Sequence, residues 1–379
     1  MDKIIVHIDL NTFFVQCEIL QNPSLKGKAV AVGYDGRRGV ISTSSYEARK
    51  KGVFSGMPVS TAKKTLPSLI LVDCHFELYK KYSKIFFSYL KKKYPIIEMA
   101  SIDECYIDMS KEAPRENLYE YLFDLQMELY RATELKCSIG VGWNKFLAKM
   151  GSDYKKPLGL TIFTRENYKE LLYPLSIDKM FGIGKKTAPK LLALGIETIG
   201  DLAKNESVAV VNSLGNTYDY YQALLNGRGD DVVSTLAFDP KSISAERTFA
   251  SDDSSEEELL SMVRTCCLET VNELLKYQKV CQAVGIKIRD SSFNTKSKRI
   301  SLSSPTDDFD TILMNVNKVF HMLYKGQEVR LIGTFLERVI DKPSARKEKK
   351  DDVIKDLREN MEDKDKLIYL SDLMKEGDL

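Results

Sequence analysis

The chain has 379 residues, 43% of them hydrophobic and 29% charged, and its formal net charge is only +2. This length suits two to four domains with substantial cores, and the small net charge does not by itself indicate a nucleic-acid-binding protein. Three histidines argue against a zinc site, and seven cysteines without a CxxC spacing suit reduced thiols in a cytoplasmic protein. We recognise no secretory leader and no apolar stretch near the eighteen residues of a membrane helix, so no membrane partner is expected.

The apolar patterning predicts alternating strands and helices in the first half of the chain. The predicted elements are a strand over 4–8, a helix over 76–94, strands over 96–102 and 105–109, a helix over 117–134 and a strand over 137–141. The apolar side of the first helix is predicted to be Leu78, Tyr82, Ile85, Phe86, Tyr89 and Leu90. The order βαββαβ is typical of a ferredoxin-like antiparallel sheet backed by two helices. Unrelated proteins share this topology, so it establishes no activity.

Three carboxylates lie at the ends of these predicted strands. Asp9 ends the first apolar run, and Asp103 and Glu104 are adjacent between β-forming residues. Carboxylate oxygens are the ligands that Mg²⁺ prefers in proteins. Adjacent acids in a regular strand point to opposite faces, so both can reach one cation only near a turn or a distorted strand end. The alternative is a surface hairpin with solvated acids.

A glycine-rich turn before an apolar helix occurs between residues 180 and 202. Gly182 and Gly184 permit a tight turn, and the backbone N–H groups at the following helix start can hold a phosphate oxygen. This is a helix-hairpin-helix pattern, which usually grips a DNA backbone without reading its bases. Pro189 is tolerated because it falls near the first turn, where backbone donors are free. The alternative is a plain glycine turn in a small helical domain.

The chain changes character from about residue 241. A capping box over 254–257 predicts a helix over 257–277, and a strand over 281–289 should direct Val284, Ile286 and Ile288 to one side and Lys287 and Arg289 to the other. Residues 276–299 contain seven Lys or Arg and one acid, Asp290. A sheet with a basic solvent face would suit a nucleic-acid groove. Beyond residue 342 the charge-mixed sequence predicts a tail or a lone helix.

Five motifs in order resemble the Y-family, or translesion, DNA polymerases, specifically the DinB (DNA polymerase IV) branch. They are His-Ile-Asp-Leu-Asn-Thr-Phe-Phe at 7–14, Val-Ile-Ser-Thr-Ser-Ser-Tyr-Glu-Ala-Arg at 40–49, Ser-Ile-Asp-Glu at 101–104, Gly-Val-Gly-Trp-Asn-Lys-Phe-Leu-Ala-Lys at 140–149 and Phe-Gly-Ile-Gly at 181–184. Any one of them is weak, but five in the same order make chance agreement improbable. The resemblance spans residues 1 to about 342.

The resemblance implies an α+β multidomain fold, a right-hand polymerase with a ferredoxin-like palm, small fingers, a helical thumb with a helix-hairpin-helix and an α/β little finger. The implied bounds are palm 1–19 and 73–165, fingers 20–72, thumb 166–232, linker 233–240, little finger 241–342 and charged tail 343–379. The implied activity is template-directed, low-fidelity translesion synthesis, which adds deoxynucleotides to a primer 3′ end by two-metal-ion nucleotidyl transfer.

Site residues follow from the same resemblance. Asp9, Asp103, Glu104 and the backbone carbonyl of Leu10 would hold two Mg²⁺ ions, for which Mn²⁺ could substitute. The nucleotide would contact Phe13, Phe14, Thr43, Tyr46, Arg49 and Lys156. Phe14 would be the steric gate that excludes ribonucleotides, whereas the neighbouring Phe13 is expected to pack in the core. For Lys156 the alternative is an ordinary surface lysine.

The implied partners are primer-template DNA and deoxynucleoside triphosphates, with the protein acting as a monomer. DNA contacts are expected from Gly182, Gly184, Lys185, Lys287, Arg289, Lys298, Arg299 and Arg330. Leu331 and Phe335 stand where relatives often carry basic residues, so the grip of the last strand should be weaker or shifted. The segment 369–374 loosely resembles a sliding-clamp peptide, with Leu370, Leu373 and Met374 as apolar anchors; the alternative is one face of a terminal helix.

Two other functions fit part of the pattern. A catalytically idle DNA-binding relative could serve as a recruitment or regulatory factor, but it would have no physical need to keep Asp9, Asp103 and Glu104 together. A nucleotidyl cyclase could use the same palm chemistry, but the helix-hairpin-helix and the basic C-terminal sheet disfavour it.

Overall fold

The computed structural model describes residues 2–236 and 238–342. The chain is divided into two compact units, Met1–Ala237 and Phe238–Leu379. No helix among the described residues has both the length and the apolar character needed to cross a membrane. The clamp-like segment 369–374 lies outside the described residues.

The first unit begins with two sheets and the helices that cover them. Its elements up to residue 162 are β1 Ile5–Leu10, α1 Phe13–Gln21, β2 Val30–Gly33, β3 Ile41–Ser44, α2 Tyr46–Arg49, α3 Val59–Thr65, β4 Ile70–Val72, α4 Phe76–Lys93, β5 Ile97–Met99, β6 Glu104–Asp108, α5 Leu118–Thr133, β7 Cys137–Gly142, α6 Lys145–Tyr154 and β8 Leu160–Ile162.

The larger sheet has the strand order β5-β6-β1-β7-β8. Strand β1 pairs antiparallel with both β6 and β7, β5 pairs antiparallel with β6, and β8 adds to β7 in parallel. The order β7-β1-β6-β5 confirms the predicted ferredoxin-like sheet. The strand predicted over 96–102 is too long, because the backbone N–H groups of Ala100 and Ser101 both donate to the Glu104 carbonyl and close a turn.

Helix α4 shows how the core is built behind this sheet. The helix has the predicted bounds to within one residue, but its apolar side is rotated from the predicted one. Tyr79 is fully buried, whereas Ile85 is 38% exposed. The face that packs on the core is Tyr79, Ser83, Phe86, Phe87 and Leu90.

The smaller sheet has the order β3-β2-β4 and a core of its own. Strand β2 is antiparallel to β3 and parallel to β4. Short helices α2 and α3 flank it, and Ala31, Ile41, Val53, Val59 and Ala62 are buried between them.

A third core, made of short helices, completes the first unit. The helices are α7 Tyr168–Leu172, α8 Ala188–Leu192, α9 Ile199–Lys204, α10 Val208–Leu214 and α11 Tyr218–Leu225. Pro189 lies in the first turn of α8, as predicted. Helix α9 begins with a capping box between Thr198 and Asp201, which satisfies its first free backbone donors.

The second unit is a four-stranded antiparallel sheet covered by two helices. Its elements are β9 Ser242–Asp253, α12 Glu256–Lys276, β10 Lys279–Asp290, β11 Thr295–Thr306, α13 Phe309–Leu323, β12 Val329–Glu337 and β13 Ile340–Asp341. The sheet order is β11-β10-β12-β9. The predicted start of this helix is displaced by one residue, because Ser255 rather than Ser254 is the N-cap and its side chain accepts from the backbone N–H of Glu258.

Candidate active site

The candidate acidic site lies where β1 and β6 run side by side. Asp9 and Glu104 are direct partners in the antiparallel register, and the backbone N–H of Leu10 donates to the Asp103 carbonyl at 3.0 Å. Asp103 precedes β6 and belongs to the turn, so strand alternation does not force it away from Glu104. Two adjacent acids can share one cation only near a turn or a distorted strand end, and this condition is met here. Ligand atoms of His7, Asp9 and Glu104 lie within 4.8 Å of one another.

Two lysines bring positive charge to these carboxylates. The Lys149 ammonium lies 2.9 Å from Asp9 Oδ2 and 2.6 Å from Glu104 Oε2, and Lys149 is only 9% exposed. Lys156 Nζ lies 2.7 Å from Asp9 Oδ1 and 2.7 Å from Asp153 Oδ1. Lys156 is therefore a partly buried lysine that is paired with two carboxylates. A cluster of hard oxygen atoms that already attracts cationic groups fits a divalent metal.

The pKa values of Asp103 and Glu104 are shifted in opposite directions. Burial raises the pKa of Asp103, and the neighbouring Asp9 and Glu104 add to this effect against a hydrogen bond from Ser101. Burial also opposes ionisation of Glu104, but His7 and the Lys149 ammonium outweigh it and lower the pKa of that carboxyl. For Lys149, the surrounding carboxylates overcome the burial penalty and raise the pKa of its ammonium. Glu104 and Lys149 are thus held as an ion pair.

Glycines allow α6 to approach the sheet closely enough to deliver Lys149. A Cβ at Gly140 would overlap the Ser152 backbone nitrogen and the Ala148 carbonyl oxygen, and a Cβ at Gly151 would be 2.9 Å from Gly140 Cα. Glycine is the residue that permits such backbone contact. The start of α6 is fixed by Asn144, whose side chain accepts from the Leu147 N–H at 2.9 Å.

Sequence reasoning did not assign Lys149, His7 or Ser152 to the site. Lys149 and His7 both stand in motifs that the resemblance used, so a signal was available. A lysine on an amphipathic helix is usually solvated, however, and only the close approach of α6 brings this one beside two carboxylates.

Phe13 and Phe14, which follow β1, have different environments. The Phe13 ring is 2% exposed and belongs to the core, which agrees with the expected packing role. The Phe14 ring is partly buried and stacks on Tyr79 with ring centroids 4.2 Å apart and planes inclined by 9°. Tyr79 in turn donates from its hydroxyl to the buried Glu18 carboxylate at 2.6 Å. Phe14 is therefore a half-buried ring that Tyr79 supports from one side, with Phe76 packed edge-on against it.

Tyr46 and Arg49 lie on one turn of α2, as their spacing predicted. The Arg49 guanidinium carbon lies 5.1 Å from the centre of the Tyr46 ring, and Arg49 Nε donates to the Ser44 carbonyl at 3.1 Å. The Tyr46 hydroxyl is buried without a hydrogen-bond partner among the described residues. Burial raises the pKa of Tyr46, with a further contribution from the Asp9 and Asp153 carboxylates. Half-buried Thr43 lies on neighbouring β3.

The candidate DNA-binding residues lie in both units. In the first, Gly182 has a positive φ of 95° and accepts from the Tyr221 hydroxyl at 2.9 Å, while Gly184 and Lys185 are exposed. In the second, Lys287 pairs with Glu246, Arg299 pairs with Glu337, and Arg289 donates to the Thr295 hydroxyl. Arg330 lies over the Phe293 ring.

The register of the second sheet separates these basic residues into two groups. Gly285 pairs with Arg299 and Lys287 with Ser297, so Arg299 shares the face that Lys287 and Arg289 occupy. Lys298 pairs with Ile286, which is buried with Val284 and Ile288 in the core beneath α12 and α13. Lys298 therefore points to the helix side of its edge strand, and Lys298 and Arg299 do not form one contact surface.

Comparison with known proteins identifies the family. Residues 8–153 match the family model described as "impB/mucB/samB family", residues 240–349 match the model of its C-terminal domain, and residues 165–196 match the "IMS family HHH motif". DNA polymerase IV of Bacillus velezensis is 36% identical over 349 residues, which cover 91% of this chain and 84% of the relative. DNA polymerase IV of Ureaplasma parvum is 33% identical over 352 residues, which cover 91% of this chain and 97% of the relative.

Solved structures agree with the sequence relatives. A Y-family DNA polymerase chimera of Dbh and Dpo4 superposes with a TM-score of 0.78 at 27% identity, covering 89% of this chain and all of that one. The insertion ternary complex of Dbh DNA polymerase gives a TM-score of 0.64 at 26% identity, with the same coverage. The chain belongs to the Y family of DNA polymerases.

This membership confirms the predicted right-hand polymerase fold and the DNA polymerase IV branch. The chain is a DNA-directed DNA polymerase of the translesion type, and the idle DNA-binding relative is not favoured. Y-family catalysis depends on metal ions, and the cluster of His7, Asp9 and Glu104 gives this polymerase a suitable acidic site.

The close packing at Gly140 yields a prediction about activity and stability together. Gly140→Ala should separate α6 from the sheet, because the added Cβ meets backbone that cannot rotate away. We expect a loss of about 1–3 kcal/mol or more in the free energy of unfolding, as for other overpacked cores. Primer extension should fall further than stability explains, because Lys149 moves with α6.

Denaturant unfolding and single-nucleotide addition at a temperature where the variant is folded measure the two effects. Gly27→Ala is the matched control, since a Cβ at Gly27 meets nothing within 4 Å and only its positive φ is strained. Parental stability and activity of Gly140→Ala would contradict the packing argument.

Proposed function

We propose that Asp9, Asp103, Glu104 and the Leu10 carbonyl hold two Mg²⁺ ions, with Mn²⁺ able to substitute. The observation that carries this proposal is the direct pairing of Asp9 with Glu104 beside the turn that contains Asp103. When bound, the two cations would lower the pKa of the primer 3′-hydroxyl and neutralise charge on the triphosphate. A donor set of carboxylate and carbonyl oxygens suits a hard cation better than zinc or copper.

The residues of this chain orient the incoming deoxynucleoside triphosphate for attack. The primer 3′-oxygen forms a bond to the α-phosphorus while the bond to the leaving pyrophosphate breaks. Arg49 presents a planar guanidinium suited to paired phosphate oxygens, and the unpartnered Tyr46 hydroxyl offers a further donor. Lys156 and Thr43 complete the proposed triphosphate contacts. A buried donor without a partner supports a ligand acceptor at that position, since leaving it unpaired costs free energy.

Phe14 serves as the steric gate of this site. Its ring is backed by the stacked Tyr79 ring, so it cannot retreat toward Tyr79 when a sugar approaches. A 2′-hydroxyl would clash with the ring, and ribonucleotides would be rejected by repulsion rather than by a lost hydrogen bond.

Primer-template DNA is the second substrate. We assign the palm to 1–19 and 73–165, the fingers to 20–72, the thumb to 166–232 and the little finger to 241–342, with a linker over 233–240 and a tail over 343–379. Gly182, Gly184 and Lys185 would grip the backbone through the helix-hairpin-helix, and Lys287, Arg289 and Arg299 through the open face of the second sheet. Small fingers leave little protein to enclose the nascent base pair, which supports low fidelity.

Further partners rest on the sequence alone. We propose that the polymerase acts as a monomer in the cytoplasm of bacteria such as those of its relatives, where its DNA substrate lies. The segment 369–374 would tether it to a sliding clamp, since a tether of this kind raises the effective concentration to about millimolar.

The metal-ligand assignment predicts separate effects on chemistry and on DNA binding. Asp103→Ala should reduce nucleotide addition by more than a thousandfold, roughly 4 kcal/mol of transition-state stabilisation, because a carboxylate shared by the cations is removed. DNA affinity should stay within about threefold, since the phosphate contacts lie elsewhere. Single-turnover primer extension and fluorescence anisotropy measure the two quantities. Asp178→Ala, at an exposed acid within the assigned thumb, is the control. Extension by Asp103→Ala within tenfold of the parent would refute the assignment.

The steric-gate assignment predicts a change in sugar selectivity. Phe14→Ala should admit CTP with about a hundredfold gain or more relative to dCTP, while dCTP incorporation falls only modestly. The physical reason is that removing the ring removes the clash with the 2′-hydroxyl. Single-turnover incorporation of both nucleotides gives the ratio, and Phe123→Ala on the exposed side of α5 is the matched control. An unchanged ratio would reassign Phe14 to core packing.

The two faces of the second sheet give a prediction about salt dependence. Arg299→Ala should reduce the slope of log affinity against log salt concentration by roughly one, as expected for one lost phosphate contact. Lys298→Ala, its neighbour on the opposite face, should leave the slope within experimental error. Anisotropy titrations between 50 and about 300 mM salt measure both slopes. A loss for Lys298→Ala alone would move the DNA path to the helix side of β11.

A further inference from the structure

His7 lies directly beneath the acidic site, and the proposed chemistry does not use it. It stands two residues before Asp9 on β1, so both side chains project from the same face of the sheet. The His7 side chain is completely buried and its ring centre is 4.6 Å from that of Tyr106. Its Nδ1 lies 2.8 Å from Ser152 Oγ, and its Nε2 lies 3.4 Å from Glu104 Oε2.

The hydrogen-bond partners of this imidazole decide which nitrogen carries the proton. The Ser152 hydroxyl has one hydrogen and two possible acceptors, His7 Nδ1 and the Lys149 carbonyl at 2.9 Å. If Ser152 donates to Lys149, then Nδ1 carries the proton, and the Nε2 lone pair is buried against a carboxylate. If Ser152 donates to Nδ1, then Nε2–H faces Glu104. His7 Nε2 makes no well-aligned hydrogen bond within the described part of the chain, and only the second arrangement turns an N–H of this ring toward an acceptor, the Glu104 carboxylate.

We propose that His7, held as the Nε2–H tautomer by Ser152, is a positioning residue that orients the Glu104 carboxylate for metal binding. This proposal rests on the proposed role of Glu104 as a metal ligand. Lys149 and His7 both act on Oε2 of Glu104, whereas Oε1 has no partner among the described residues. The carboxylate is therefore fixed at one oxygen and open at the other. Groups that hydrogen-bond to a ligating carboxylate typically affect metal affinity by about 10–100-fold.

The close packing of α6 explains how Ser152 reaches this position. A Cβ at Gly140, the β7 partner of His7, would overlap the Ser152 backbone nitrogen. The glycine thus brings the serine hydroxyl under the imidazole, and a single helix supplies Lys149 to one end of the network and Ser152 to the other. The network runs from Ser152 through His7 to Glu104 within one unit of the structure.

Amide replacements of His7 separate its two nitrogens. In His7→Gln the amide nitrogen can occupy the place of Nε2 and donate to Glu104, whereas in His7→Asn the amide reaches only the place of Nδ1 and Ser152. Mn²⁺ binding to the full-length protein with primer-template DNA and a non-hydrolysable deoxynucleotide is measured directly by electron paramagnetic resonance. We expect affinity within about threefold of the parent for His7→Gln and a loss of about 10–100-fold for His7→Asn and His7→Leu.

Thermal unfolding in a metal chelator provides a second readout. Both amides are polar groups in the same buried place, so their midpoints should fall by similar amounts, and a difference in metal affinity between them would not reflect general damage. Ser152→Ala, which frees the tautomer while leaving His7 in place, should lower Mn²⁺ affinity by a few-fold. This variant keeps the proposal testable if the His7 variants do not fold.

Equal losses of Mn²⁺ affinity in His7→Gln and His7→Asn, or parental affinity in His7→Leu, would overturn the proposal. If His7→Gln and His7→Leu both lose Mn²⁺ binding to the same extent, His7 ligates the cation itself and the positioning role is wrong. Parental affinity in Ser152→Ala would likewise exclude tautomer selection. Glu104→Gln tests the underlying assignment separately: if it binds Mn²⁺ like the parent, Glu104 is not a ligand, whatever the His7 variants show.

Discussion

Asp9 and Glu104 are fixed opposite each other on β1 and β6, and the rest of the catalytic region depends on this forced proximity of two negative charges. Like charges directly opposite each other in an antiparallel pair are destabilising. At an effective dielectric constant near 20, two unit charges about 5 Å apart interact by roughly 3 kcal/mol, which is a large fraction of a typical folding free energy. The strand register cannot slip to relieve it, because a shift by one residue would turn Ile8 out of the core.

Two lysine side chains offset this repulsion, one from α6 and one from the segment that follows it. Lys149 contacts both carboxylates and Lys156 contacts Asp9, so the repulsion is balanced before any metal or nucleotide arrives. This arrangement holds the two carboxylates side by side, and His7 and Lys149 together lower the pKa of Glu104. Under the proposed function, a divalent cation would meet the carboxylate oxygens of Asp9 and Glu104 already side by side. Lys156, the proposed triphosphate contact, lies beside them at Asp9. The carboxylates that the lysines neutralise in this structure are thus the proposed metal ligands.

Much of this architecture could be predicted from the sequence. The parts that could not be predicted have one physical cause in common. Helix α5 lies within one residue of its predicted bounds at both ends, because its apolar spacing is regular over four turns. The prediction placed the buried side of α4 incorrectly. Tyr79 is buried through its contacts with Glu18 and Phe14, and hydrophobic periodicity does not encode those contacts. Lys149 was missed for the same reason. Burial of a lysine depends on carboxylates that are 45 and 140 positions away in the chain.

In the second sheet, the number of basic residues in the sequence does not by itself describe the charge of the surface, because some of them form ion pairs. Seven basic residues over 276–299 suggested a strongly positive surface, but Lys287 and Arg299 on the open face are each paired with a glutamate two strands away in the sheet. Between them the Phe335 ring packs against Gly285, where a Cβ would overlap it, so the middle of this face is apolar. Phosphates that bind here must compete with Glu246 and Glu337 for their cations. Exposed ion pairs are worth little, on the order of 1 kcal/mol or less, so a polyanion can displace them. If DNA binds this face as proposed, each contact built from such an exchange would be weak and readily reversed.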